Sequence, residues 1–115
     1  MHEYSIVASL IDRVQREAAA RRAERVHRLH VRIGELSGVE IDLLTAAFDA
    51  FRERTVCDGA DLAVESVPAV WSCPACDRPI ERGAALRCPA CDRPARLASG
   101  DEIVLARIEM EVPDV

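Results

Sequence analysis

A chain of 115 residues with 50% apolar content and a formal charge of −5 is one ordinary domain, or one domain carrying a small module, and excludes a multidomain enzyme. Leu, Ile, Val and Phe number 30, enough to offset the conformational entropy of folding, and all 15 basic residues are Arg, so no lysine is available for a Schiff base or a P-loop. Aromatic residues at 3% on an acidic chain argue against the stacking surfaces that bind single-stranded nucleic acid.

The chain opens Met1, His2, Glu3, Tyr4 without a basic region or a long apolar stretch, so no secretory signal is expected. No segment approaches the ~18 apolar residues of a membrane span. A cytoplasmic, non-membrane protein is the expectation. Residues 4 to 25 are predicted to form one amphipathic helix, because Val7, Leu10, Ile11, Val14 and Ala18 recur at helical spacing while Arg13, Arg16, Glu17, Arg21 and Arg22 turn outward. Val26 to Ile33 reads as a strand, with Leu29, Val31 and Ile33 alternating with Arg28, His30 and Arg32. His27 and His30 on this strand are read as structural. A second helix is expected from about Glu40 to Arg54, striped by Leu44, Ala47, Phe48 and Phe51, with Asp42 favouring its first turn. Cys57, just beyond it, reads as a buried small apolar residue.

Residues 61 to 68 are predicted to be a strand stopped by Pro68. Glu102 to Val112 is expected to be a long strand with Val104, Ala106, Ile108, Met110 and Val112 on one face. Between them, residues 69 to 98 hold four of the five cysteines and four of the six prolines. The fold class that follows is α+β: two helices packed on a three-stranded sheet, with a small four-cysteine zinc-ribbon module inserted before the last strand. Residues 1–68 and 99–115 form the body and residues 69–98 the ribbon.

The ribbon contains Cys-Pro-Ala-Cys-Asp-Arg-Pro twice, at 73–79 and 88–94, a period of 15 residues. Each copy places two thiolates at the mouth of one tight turn, with Pro74 and Pro89 setting the turn backbone. Two such knuckles make a tetrahedron, and the 11 residues between Cys76 and Cys88 suffice for a hairpin that brings them face to face. In a reducing compartment Cys73, Cys76, Cys88 and Cys91 are metal ligands rather than disulfides. Four thiolates with no histidine select a closed, structural Zn(II) site, since a catalytic zinc keeps one position open. Iron in a rubredoxin-like site is the chemical rival. Against it, Asp77 and Asp92 stand where rubredoxin knuckles have Gly, and Trp71 is the one aromatic residue nearby, read as ribbon core or as packing against the body.

The amino terminus offers a second donor set. The α-amine of Met1, the amide nitrogen of His2 and the Nδ1 of its imidazole can close adjacent chelate rings around a metal that prefers tetragonal nitrogen, which is Ni(II) or Cu(II). Glu3 lies within reach as a carboxylate ligand or base. On residue type alone the same residues read first as an ordinary solvated terminus.

Met-His-Glu-Tyr-Ser at the start, Val-Arg-Ile-Gly-Glu-Leu-Ser-Gly-Val-Glu at 31–40, Ala-Phe-Asp-Ala-Phe-Arg with a Val-Cys turn, and two CxxC pairs before a final strand closely resemble the HypA/HybF family of nickel metallochaperones. The likeness covers nearly the whole chain, and the joint presence of the terminal Met-His-Glu and the paired CxxC knuckles is its most specific part. The resemblance implies a non-enzymatic carrier that delivers Ni(II) during [NiFe]-hydrogenase maturation. Its nickel ligand falls on His2, with Met1 and Glu3 as neighbouring donors, and its structural zinc ligands on Cys73, Cys76, Cys88 and Cys91. Glu40 matches an acidic position that in some relatives approaches the amino-terminal site, which makes it a candidate additional ligand; it also reads as an exposed helix-start carboxylate. Ile41 stands where many relatives have Pro, and the spacer between the knuckles is about one residue short of the usual length, departures that touch local geometry more than role.

The partners the resemblance implies are the hydrogenase-maturation GTPase, the large subunit of [NiFe]-hydrogenase and, in some organisms, the urease maturation system, with the chain a monomer or weak homodimer. The alternative is a zinc-ribbon nucleic-acid or protein-interaction module. It requires a basic surface, and only the ribbon is locally basic, with Arg78, Arg82, Arg87, Arg93 and Arg96 against Asp77, Glu81 and Asp92. An electron carrier would hold iron in the ribbon and be coloured. No nucleophile stands in an activating context.

Overall fold

A computed structural model of the chain describes residues 2–83 and 85–113, His2 through its backbone alone. In chain order the elements are α1 His2–Ala20, β1 Arg25–Gly34, α2 Ile41–Phe51, β2 Asp61–Val67, β3 Val70–Ser72, β4 Pro79–Ile80, β5 Arg96–Ser99 and β6 Ile103–Glu111. β1 is the central strand of the first sheet, parallel to β2 and antiparallel to β6. β3 is the central strand of a second, antiparallel sheet, between β4 and β5. The class is α+β, as the residue pattern indicates.

All five apolar residues of the expected α1 stripe are buried. The helix stops earlier than periodicity alone suggests, at Ala20 rather than residue 25. Arg22 adopts a left-handed φ of 55° and donates its N–H to Ala19 O at 3.2 Å, while the Ala23 N–H reaches Ala18 O at 2.8 Å. These are the paired bonds of a Schellman closure, made here without the glycine that normally marks it.

β1 turns Val26, Leu29, Val31 and Ile33 into the core beneath both helices. Its other face carries Arg28, His30 and Arg32, paired with Asp61 at 3.7 Å, with Glu109, and with Glu65 at 3.9 Å. His27 lies 3.5 Å from Glu111. Both strand histidines therefore face β6 carboxylates, in keeping with a structural role. The bond from His30, with a second from Arg107, holds the Glu109 carboxyl below the usual carboxylate range.

The β1–β6 ladder breaks register twice. At the second break His30 faces Arg107 while Val31 faces Leu105, leaving Ala106 looped out. An extra residue on one strand reverses the in-and-out alternation beyond it. The expected single face of β6 is therefore corrected: Ile103, Leu105, Ile108 and Met110 pack on the core, whereas Val104 is exposed, Ala106 turns out, and Val112 lies past the strand end.

In α2, Leu44, Ala47 and Phe48 are buried. Phe51, expected in the same stripe, is instead 47% exposed and meets the Tyr4 ring edge-on at a centroid distance of 5.0 Å. It closes the last turn, and the ring it finds there belongs to the first turn of α1 instead of the sheet. Cys57 and Ala60 seal the core below α2, and burial pushes the Cys57 thiol up to about 11. Each large side chain fully buried here contributes roughly 1.5–3 kcal/mol.

The second sheet has a separate core of Cys73, Ile80 and Cys88, against which Trp71 and Ala95 pack. So few apolar side chains cannot hold a module of this size folded unaided. The chain passes between the two sheets twice, around residues 68–69 and 100–102. Both passages cross the corner that ends β1: Glu35 N–H donates to Val67 O at 2.8 Å, Leu36 N–H to Gly100 O at 2.7 Å, and Gly34 N–H to Glu102 O at 2.8 Å. The molecule is elongated, 58 × 34 × 16 Å.

Candidate metal centre

The two copies of the heptapeptide fold into equivalent turns. In the first, Asp77 N–H donates to Cys73 O at 2.9 Å and Cys73 N–H to Arg78 O at 3.0 Å; in the second, Asp92 N–H donates to Cys88 O at 2.8 Å and Cys88 N–H to Arg93 O at 2.9 Å. Asp77 and Asp92 take left-handed φ angles of 53° and 59°, a conformation Asp tolerates better than most residues. This is the position at which glycine is expected in an iron knuckle, and here the aspartates fill the same backbone role.

β3 and its two neighbours carry the turns to one end of the ribbon, where the four Sγ atoms of Cys73, Cys76, Cys88 and Cys91 all lie within 4.8 Å of one another. The Sγ atoms of Cys73 and Cys91 are 3.5 Å apart. Sulfurs bonded to one tetrahedral zinc at ~2.3 Å sit ~3.8 Å from each other, so the cluster fits that ion. Cys73 and Cys88 are buried and Cys76 and Cys91 exposed, a closed inner half and an accessible outer half. Among the described residues this is the one group of three or more His, Cys, Asp and Glu side chains placed to hold a metal.

The electrostatics favour a cation. Amide N–H groups, foremost that of Cys76 at 3.3 Å, push the Cys73 thiol down to about 6. The Cys88 thiol is lowered in the same way by the amides of Cys91 and Ala90. The Cys76 thiol is pushed up to about 12 because it shares a proton first with Cys91 and then with Cys73 and Cys88. Four sulfurs this close cannot all ionise unless a cation sits among them, and a bound divalent ion deprotonates all four.

Of the amino-terminal donor set, Met1 and the His2 side chain lie outside the described residues. Glu3 does not, and it meets Glu40: the Glu40 N–H points at Glu3 Oε2 at 3.4 Å. Glu40 precedes the first turn of α2 with an extended backbone, and its side chain makes no capping bond. The two acidic residues named from the sequence, 37 positions apart, thus stand together where α1 and α2 begin. The sequence assigns no site role to two further polar residues. Glu35 and Arg82 form a bidentate pair between the β1 corner and the ribbon. Glu35 lies within the 31–40 segment and Arg82 among the ribbon arginines, but only their meeting gives either a role.

A helix-backed mixed sheet with a four-thiolate ribbon set into it defines a metal-binding α+β protein. Known proteins share both sequence and fold. The family described as hydrogenase/urease nickel incorporation, metallochaperone, hypA matches residues 1–110. The hydrogenase maturation factor HypA of Shewanella baltica strain OS195 is 36% identical over 113 residues, covering 96% of this chain and 97% of that protein. The HypA of Wolinella succinogenes is 36% identical over 119 residues, covering 99% and 98%. The solution structure of the Ni metallochaperone HypA from Helicobacter pylori superposes with a TM-score of 0.72 at 30% identity over 96% of this chain and 98% of that one. A second HypA solution structure reaches 0.80 at 31% identity, covering 98% of each. The chain belongs to the HypA family, nickel metallochaperones of hydrogenase maturation, and its activity is metal delivery, not catalysis.

Proposed function

We propose that this chain holds Ni(II) on Met1, His2 and Glu3, with Glu40 as an additional donor, and that Cys73, Cys76, Cys88 and Cys91 hold a structural Zn(II). The approach of Glu3 to the Glu40 backbone supports the nickel reading, because it places the residue proposed as an additional donor beside the first turn of α1. α1 begins at His2, and the first N–H groups of a helix have no carbonyl partner four residues back, which leaves the His2 nitrogen available to a metal. A site built at a chain end is exposed and easily reoriented, so a recipient's ligands can enter before the old ones leave.

The sulfur spacing and the lowered Cys73 and Cys88 thiols support zinc in the ribbon. The recipients in this reading are the hydrogenase-maturation GTPase and the [NiFe]-hydrogenase large subunit, with the urease maturation system where present, all met in the cytoplasm. No helix among the described residues is long and apolar enough to cross a membrane. A nucleic-acid role for the ribbon is disfavoured because two of its arginines are engaged, Arg87 with Asp92 at 3.0 Å and Arg82 with Glu35.

Metal analysis followed by Ni(II) titration of the wild type and His2→Ala tests the reading. The variant should lose specific nickel binding and keep its zinc. Wild-type nickel stoichiometry and affinity in His2→Ala would remove the central residue of the site. Addition of one residue before Met1, which converts the amine into an amide, should weaken nickel binding in the same way.

A further inference from the structure

We infer that Glu35 is a positioning residue that latches the cysteine ribbon to the body, its carboxylate fixing the orientation of one sheet relative to the other through Arg82 and the neck. The two units share no apolar core. Among the described residues, those buried in the body and those buried in the ribbon fall into separate clusters, and no side chain belongs to both. Orientation must then be set by polar contacts near the two chain passages.

Glu35 makes three of them. Its Oε1 accepts the Ala69 N–H at 2.8 Å and one Arg82 nitrogen at 2.8 Å, and its Oε2 accepts the other Arg82 nitrogen. Ala69 lies on the entering passage and Arg82 two residues beyond β4, on the ribbon itself, so one carboxylate spans neck and ribbon. The geometry is the planar fork that a guanidinium makes with a carboxylate, the strongest form of side-chain ion pair.

Magnitude decides what the latch can do. Arg82 is 64% and Glu35 37% exposed, so the pair adds little to global stability. An orientational equilibrium needs much less. A hinge with no shared buried cluster among the described residues is shifted about fivefold by a pair of this class. The neck backbone bonds tie the passages to the β1 corner but leave the ribbon beyond residue 70 held by Arg82. Loss of that arm frees the ribbon to pivot without disturbing either fold. Because solvent reaches the pair, salt or an acidic partner segment that competes for Arg82 opens it.

Backbone 15N relaxation on the full-length, zinc-loaded chain tests the latch. In the wild type, amides of the body and amides of residues 70–99 should report one common tumbling. In Glu35→Gln and in Arg82→Ala the ribbon amides should acquire independent motion while zinc content and body chemical shifts stay constant. Arg82→Lys, which keeps the charge facing the Glu35 carboxylate but loses the planar fork, should retain more of the common tumbling than Arg82→Ala, a graded response that a merely structural role for the side chain does not produce. Unchanged relaxation in both Glu35→Gln and Arg82→Ala, or an Arg82→Lys variant no better than Arg82→Ala, overturns the proposal. Since Arg82 is a surface residue, Arg82→Ala remains informative even if Glu35→Gln folds poorly.

Discussion

Gly34 and Gly100 cross at the neck with no room for a side chain at either. A Cβ on Gly34 would lie 2.3 Å from the Gly100 carbonyl oxygen, and one on Gly100 would lie 2.5 Å from the Ala69 Cα. Gly100 in addition has a φ of 106°, which side chains rarely adopt. Both obstructions are backbone and cannot swing aside. Gly100→Ala should therefore destabilise the chain by roughly 3 kcal/mol, the upper part of the range for single substitutions. Gly59→Ala is the control: its φ is also positive, at 81°, but nothing lies within 4 Å of the added carbon, so its loss should be clearly smaller. Thermal unfolding of the two variants compares them directly.

Phe48 and Phe51 lie three residues apart on α2 but should respond very differently to truncation. Phe48 is fully buried, so Phe48→Ala is expected to cost about 3–5 kcal/mol in denaturant unfolding. Phe51 is half exposed and stacks edge-on against Tyr4, an arrangement worth about 0.5–1.5 kcal/mol. Equal losses for the two would contradict the placement of α2.

Chelation of the ribbon metal should unfold residues 70–99 and spare the body, since Cys73, Ile80 and Cys88 are the buried core there among the described residues. Cys73→Ala is predicted to abolish metal retention. Loss of ribbon amide dispersion with intact signals from α1 and β1 is the outcome to look for.

Nickel binding should weaken on acidification. The proposed donor set needs a neutral imidazole and a deprotonated α-amine, whose ordinary pKa values are about 6.5 and about 7.7–8.0. Protons compete as pH falls through that window, whereas zinc, held by thiolates whose pKa the metal depresses, should be released only at lower pH. Metal content measured across the pH series separates the two sites.

The Glu35 carboxyl is pushed down from 4.5 to about 2, first by the Arg82 bond and then by the Ala69 amide. A depressed carboxyl pKa contributes stability that is present above the unfolded value and is lost as pH falls through the folded one. The latch should accordingly be indifferent to pH well above 4.5 and weaken progressively as pH falls from 4.5 towards about 2. In Arg82→Ala the larger cause is gone, so the carboxyl should titrate at higher pH than in the wild type. The 13C shift of the Glu35 carboxyl, followed across a pH series in the wild type and the variant, reads this.

Much of this architecture was legible residue by residue. The α1 stripe, the β1 alternation and the duplicated Cys-Pro-Ala-Cys turns are local patterns, each set by the geometry of a few successive residues. Periodicity placed Val7, Leu10, Ile11, Val14 and Ala18 in the core, and spacing alone grouped the four cysteines. A local pattern is blind to what arrives from far along the chain. The Ala106 bulge reverses half of β6, and it follows from pairing with a strand more than seventy residues earlier. Phe51 has the right spacing for the core, yet the end of α2 overhangs the sheet and finds Tyr4. α1 closes on a left-handed Arg22, where no glycine announces the stop. Glu3 with Glu40 and Glu35 with Arg82 are ordinary surface residues until the fold sets them side by side. Backbone periodicity and ligand spacing are written in the order of residues; register, chain crossings and the meeting of distant charges arise only when separate elements pack, because their energies depend on separation in space and not along the chain.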